Sequence, residues 1–92
     1  MNRRKSERII LDVPISVEDT IGTTRDISGS GIYFTSEASF QVGGVIRFSL
    51  SLEHALPDRL LRIKCQGHVV RVEDLGEQNG VAATIDRYSY LH

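Results

Sequence analysis

A chain of 92 residues, 40% hydrophobic and 25% charged, is long enough for one domain with a modest core and has ordinary globular composition. The formal net charge of −1 argues against a general nucleic-acid binder, and the single Cys65 excludes an internal disulfide. No apolar run approaches the length of a membrane span or a signal-peptide core, so membrane insertion is not expected and the chain reads as cytoplasmic, in a reducing compartment.

Residues 1–7 are polar and aperiodic and read as a mobile basic lead-in to a single domain spanning 1–92. Arg3, Arg4, Lys5 and Arg8 concentrate positive charge there, which suits a compact anion better than a long polyanion. In an extended segment Arg4 and Arg8 project from one face about 13 Å apart. Each guanidinium is a planar fork matched to phosphate oxygens or to the O6/N7 edge of guanine.

From Arg8 to Glu18 the pattern alternates, with Ile9, Leu11, Val13, Ile15 and Val17 on one face, which predicts a half-buried strand. Pro14 cannot donate to a ladder and belongs at an edge, a bulge or a break. Glu18 to Gly22 supplies turn chemistry, and Thr23 to Ile27 returns as a second, shorter strand.

The polar stretch Thr24-Arg25-Asp26-Ile27-Ser28-Gly29-Ser30-Gly31-Ile32 is the element the chain presents. Asp26 and Ser28 are two apart, so an extended segment projects a carboxylate and a hydroxyl from one face. Gly29 and Gly31 allow positive φ or a close backbone approach to a ligand. An acceptor pair beside open backbone makes a docking ledge, and the arginines at the chain start are its cationic counterpart.

A third strand follows, with Ile32 and Phe34 alternating against Tyr33 and Thr35, and Gly43-Gly44 marks a turn. Val45 to Leu52 places Ile46, Phe48, Leu50 and Leu52 inward and Arg47, Ser49 and Ser51 outward. Glu53 to Arg59 is the longest irregular connection, with room for one helical turn. Leu60 to Glu73 is a long strand whose inward set begins at Leu61, Ile63 and Cys65 and ends at Val70 and Val72, a phase change that predicts a β-bulge at Gly67-His68. Gly80 to Ile85 is a final strand, and the remainder to His92 has room for one or two helical turns. The expected fold class is all-β: six or seven short alternating strands with turn signals indicate a barrel or a sandwich, with at most a short C-terminal helical turn.

Catalytic and metal chemistry find little support in these residues. A Ser28 or Ser30 nucleophile with His68 as base lacks the nucleophile-elbow pattern, and no Walker lysine accompanies the glycines. No Cys/His spacing resembles a zinc site. His68 and Cys65 read as structural residues, and Tyr33, Tyr88 and Tyr90 are scattered.

Taken together, Arg4-x-x-x-Arg8 and Asp26-x-Ser28-x-x-Gly31, separated by one strand, resemble the paired signature of PilZ domains, bacterial receptors for cyclic di-GMP. The likeness continues through Gly44-Val45-Ile46-Arg47-Phe48, Gly67 to Val72 and Gly80-Val81-Ala82, and so covers nearly the whole chain. It implies a small six- or seven-stranded antiparallel β-barrel acting as a non-catalytic receptor, in which Arg4 and Arg8 grip phosphate and guanine edges. Asp26 accepts from guanine N–H groups, Ser28 bonds phosphate or base, and Gly31 keeps the surface clear. Arg71 is a further candidate, for stacking on a base. Arg3, immediately before the arginine pair, implies two stacked cyclic di-GMP molecules per chain. A separate effector protein would read the ligand-induced change, with no DNA or RNA involved. Two other readings stay open: a PilZ-like protein adaptor without nucleotide binding, and a small nucleic-acid-binding barrel.

Overall fold

The computed structural model describes residues 9–51 and 62–91 of the chain. Seven strands run in order: β1 (Ile9–Val17), β2 (Thr20–Ile27), β3 (Gly31–Ser36), β4 (Val45–Ser51), β5 (Arg62–Asp74), β6 (Asn79–Thr84) and β7 (Arg87–Leu91). Every pairing is antiparallel, and the sheet order β4-β1-β2-β3-β6-β5-β7, with β4 also paired to β5, closes a six-stranded barrel to which β7 is added. Arg3, Arg4, Arg8, the basic lead-in and the 53–59 connection lie outside the described residues.

The period-2 pattern fixes which side of each strand faces the core. Val13, Ile15 and Val17 of β1, Ile32 and Phe34 of β3, Ile46, Phe48 and Leu50 of β4, and Val81 and Ala83 of β6 are buried. Cross-strand register gathers them into rows. Val13, Thr24, Phe34 and Val81 are successive partners around the wall, as are Val17, Phe48 and Cys65.

The first hairpin is tighter than the sequence suggests. Its loop is only Glu18-Asp19, with Glu18 at φ 53°. A left-handed glutamate is strained, and the β4 backbone holds it: Glu18 N–H donates to the Arg47 carbonyl at 3.1 Å, and Arg47 N–H donates to Glu18 Oε2 at 3.0 Å. Pro14 lies where expected, next to the irregularity between Ile10 and Val13 and before β1 meets β4 at Ile15.

Two expectations for the second half are corrected. The phase change in β5 falls between Val69 and Arg71 rather than at Gly67-His68; Val69 is 1% exposed and Val70, expected inward, is 49% exposed. Gly67 serves a different purpose, since a Cβ there would overlap the Thr84 carbonyl oxygen. The C-terminal stretch is strand β7, not a helical turn. Partner β6 covers β5 only from Val69 onward, so the edge over Arg62 to Gln66 is open, and β7 fills it. An Asp86 N–H bond to the Gln66 carbonyl at 2.8 Å steers the chain into that gap.

Candidate functional site

Outward-facing residues in register form a row across four strands. Asp26 of β2 is opposite Tyr33 of β3, Tyr33 is opposite Ala82 of β6, and Ala82 is opposite Arg71 of β5. At roughly 4.8 Å per strand this row is about 14 Å long. It crosses a groove of about 700 Å³ that Asp26, Gly31, Tyr33, Arg71, Glu73 and Ala82 help to line. That volume lies within the range of roughly 300 to 1,000 Å³ usual for small-molecule sites.

Each wall follows from local structure. Register shifts between Thr24 and Asp26 in the β2–β3 pair and between Val69 and Arg71 in the β5–β6 pair flank the groove on its two sides. Ala82 presents only a methyl between them and leaves the floor low. Tyr33 Oη donates to Glu73 Oε1 at 2.8 Å, and Arg71 Nε stands 3.6 Å from Glu73 Oε2, so one carboxylate holds both the ring and the guanidinium. Burial raises the Tyr33 hydroxyl above its ordinary pKa, the Glu73 hydrogen bond and charge add to the rise, and Arg71 and Arg25 oppose it. The phenol therefore stays a neutral donor.

The turn after β2 is built by Ser28. Its N–H donates to the Gly31 carbonyl at 2.9 Å, and its Oγ accepts from Gly31 N–H at 3.2 Å. Ile85 N–H donates to the Ser30 carbonyl at 3.0 Å and ties the turn to the end of β6. Neither Gly29 nor Gly31 takes the positive φ the sequence allowed; Gly43 and Gly76 do. Gly31 instead lies close to a neighbouring backbone, where a Cβ would sit a tight 3.2 Å from the Ala83 carbonyl oxygen.

The structure thus brings Asp26, Gly31 and Arg71 to one groove and places Ser28 beside it. The expected pairing of Asp26 and Ser28 on one surface does not hold, because β2 ends at Ile27 and Ser28 turns away to border a small hollow with Ile27, Ile85 and Tyr88. The chain enters the barrel at the groove's edge, with Ile9 opposite Ile27 and Ile10 opposite Asp26. Sequence reasoning missed Tyr33, Glu73 and Ala82, whose signal was the outward phase of Tyr33 and Ala82 in their strands.

Other reactive groups have structural places. His68 Nδ1 lies 3.1 Å from both Asp86 Oδ2 and Thr84 Oγ1, and the hydrogen bonds from His68 and then Thr84 hold the Asp86 carboxyl below its ordinary pKa. Burial pushes the Cys65 thiol up to about 11, which leaves it an unreactive core residue. Among the described residues no group of three His, Cys, Asp or Glu side chains could hold a metal ion, and no helix is long and apolar enough to cross a membrane.

Comparison with known proteins agrees with this architecture. The PilZ domain family model matches residues 2–89. A structural match is the Bacillus subtilis inhibitor of motility MotI/DgrA, with a TM-score of 0.81 and 20% sequence identity over 97% of this chain and 45% of that one. The chain therefore spans less than half the length of that protein, and the likeness is one of fold. A search of curated proteins by sequence gave no match. A family match over nearly every residue, on a closed barrel with the motif turn at its groove, makes this chain a member of the PilZ domain family.

Proposed function

We propose that this domain is a non-catalytic receptor that binds cyclic di-GMP in the groove between β2, β3, β6 and the second half of β5. The observation that carries the reading is the in-register row from Asp26 to Arg71, which puts a carboxylate and a guanidinium at its two ends. A carboxylate accepts from the N–H groups of a guanine edge, and a guanidinium binds O6/N7 or packs on the base face. Ile10 pairs with Asp26, so β1 begins beside this row, and Arg3, Arg4 and Arg8, which precede β1 in the sequence, would meet the ligand phosphates. Binding would draw this basic segment onto the groove, and a separate effector protein would read the closed form.

Calorimetric titration of the full chain with cyclic di-GMP, set against a short single-stranded oligonucleotide, tests the proposal. Saturable binding of the dinucleotide alone is expected. Arg8→Ala should weaken it about tenfold or more, since a charge-assisted hydrogen bond contributes roughly 1.5 to 3 kcal/mol. Absence of dinucleotide binding, or wild-type affinity in the variant, would overturn the assignment of this site.

A further inference from the structure

We propose a second binding surface on the other side of the barrel, where the outer face of β4, the first half of β5 and β7 takes an acidic, extended segment of a partner protein. Six lysines and arginines fall among the described residues. Two of them, Arg25 and Arg71, each stand 3.6 Å from a carboxylate, of Asp12 and Glu73 respectively. The other four, Arg47, Arg62, Lys64 and Arg87, have no ion pair with any described residue, and all four lie on β4, β5 and β7. Against a chain of net charge −1 this is a concentrated cationic face.

Its layout is again set by register. Ser16, Ser49, Lys64 and Ser89 form one row across β1, β4, β5 and β7, and Arg47, Gln66 and Arg87 form the next. The two rows line a groove of about 540 Å³. The short serines leave the floor open and offer hydroxyl donors, while the long cations wall it. Glu18 is the one carboxylate in the lining, and its Oε2 already accepts from Arg47 N–H at 3.0 Å. This groove shares no lining residue with the one that holds Asp26 and Arg71, so the inference does not rest on nucleotide binding.

Spacing selects the occupant. Arg47 and Arg87 flank Gln66 two strands apart, about 10 Å at Cα, and Arg62 and Lys64 are about 7 Å apart along β5. A single phosphate would meet only part of that array. Alternate carboxylates of an extended peptide recur at about 7 Å and meet successive cations. Neither row contains an aromatic ring, and the one exposed ring in the lining, Tyr88, packs edge-on against Tyr90 at 5.8 Å, so successive unpaired bases would find no series of stacking platforms.

The test is a titration of the full chain, labelled with ¹⁵N, with a peptide of alternating Glu and Thr, alongside a Lys/Thr peptide and a short oligothymidylate. Shifts are expected at the amides of Arg47, Lys64, Gln66 and Arg87 with the acidic peptide, weakening as salt is raised. The exposed double variant Arg47→Gln/Arg87→Gln should lose affinity about tenfold or more. Absence of shifts at these amides, an unchanged affinity in the double variant, or tighter binding of the oligothymidylate at the same amides would each overturn the proposal.

Discussion

Thr24 carries the one buried side-chain oxygen among the described residues that lacks a hydrogen-bond partner. It is fully buried in β2, opposite Val13 on one side and Phe34 on the other. An unsatisfied hydroxyl costs about 1 to 3 kcal/mol, and valine has the same shape without that group. Thr24→Val should therefore stabilise the domain by about 1 kcal/mol and raise Tm by roughly 4 to 8 °C. A lower Tm by calorimetry would mean that the hydroxyl finds a partner.

Gly31 and Ser30, neighbours in the same turn, should behave differently. A side chain at Gly31 presses on the Ala83 carbonyl and narrows the groove, whereas Ser30 is exposed and contributes its carbonyl, which any residue supplies. Gly31→Val should weaken cyclic di-GMP binding about tenfold or more and Ser30→Ala should leave it within a factor of about two. Equal affinities in titration would remove the turn from the site. Asp26 and Gly31, which a motif marks in the sequence, both line the groove; Tyr33 carried no such mark, because its place there depends on lying opposite Asp26, and register is invisible in a single strand.

Among the elements, β5 shows most clearly how far a hydrophobic pattern reaches. Its alternation announced a long strand with a phase change. Val69 and Val70 are chemically identical, however, so the pattern could not say which of them turns inward. Gly67 drew the expected bulge toward itself, yet its lack of a side chain answers a neighbouring backbone. The same limit applies to β7, where five residues, Arg87–Leu91, are too few to separate a strand from a helical turn until the open edge of β5 is known.

That junction of β5, β6 and β7 rests on Thr84, whose Oγ1 accepts from the half-buried His68 N–H at 3.0 Å and also reaches the His68 ring. Thr84→Val leaves that N–H without its acceptor and should cost about 1 to 3 kcal/mol in chemical denaturation, while Thr84→Ser should recover most of the loss. A variant as stable as wild type would show that the backbone alone holds the junction. The Asp86 carboxyl, kept below its ordinary pKa, adds stability that is present above pH 3.8 and is lost as pH falls below it. Removing the Thr84 hydroxyl should therefore also flatten the acid limb of the stability curve.

For the molecule as a whole, closure of the barrel is what turns a list of motifs into a site. Six strands joined edge to edge bring β2 and β5, far apart in sequence, to opposite walls of one groove across β3 and β6. The same closure places the start of β1 beside the groove, with Ile10 opposite Asp26. Six of the seven strands and their approximate ends were readable from alternation and turn residues; β7 was not, nor was the order of β3, β6 and β5, since alternation carries no information about partners.

This placement bears on how many ligands the groove takes. We propose two cyclic di-GMP molecules per chain, with Arg3 as the discriminating residue. Resemblance to PilZ domains associates an arginine directly before the arginine pair with a stacked dimer of the dinucleotide, and an apolar residue there with a single molecule. The physical argument is one of charge and reach. A stacked pair brings four phosphates and additional guanine edges, so a third guanidinium has acceptors to hold, whereas one molecule is already neutralised by Arg4 and Arg8. Arg71, exposed at the far end of the row, would meet the second molecule rather than the first. Calorimetry at saturation should give two ligands per wild-type chain and a value approaching one for Arg3→Leu, with Arg4 and Arg8 sustaining the remaining binding. Arg71→Ala should weaken the second event more than the first. One ligand per wild-type chain would refute the stacked pair and leave the receptor assignment standing.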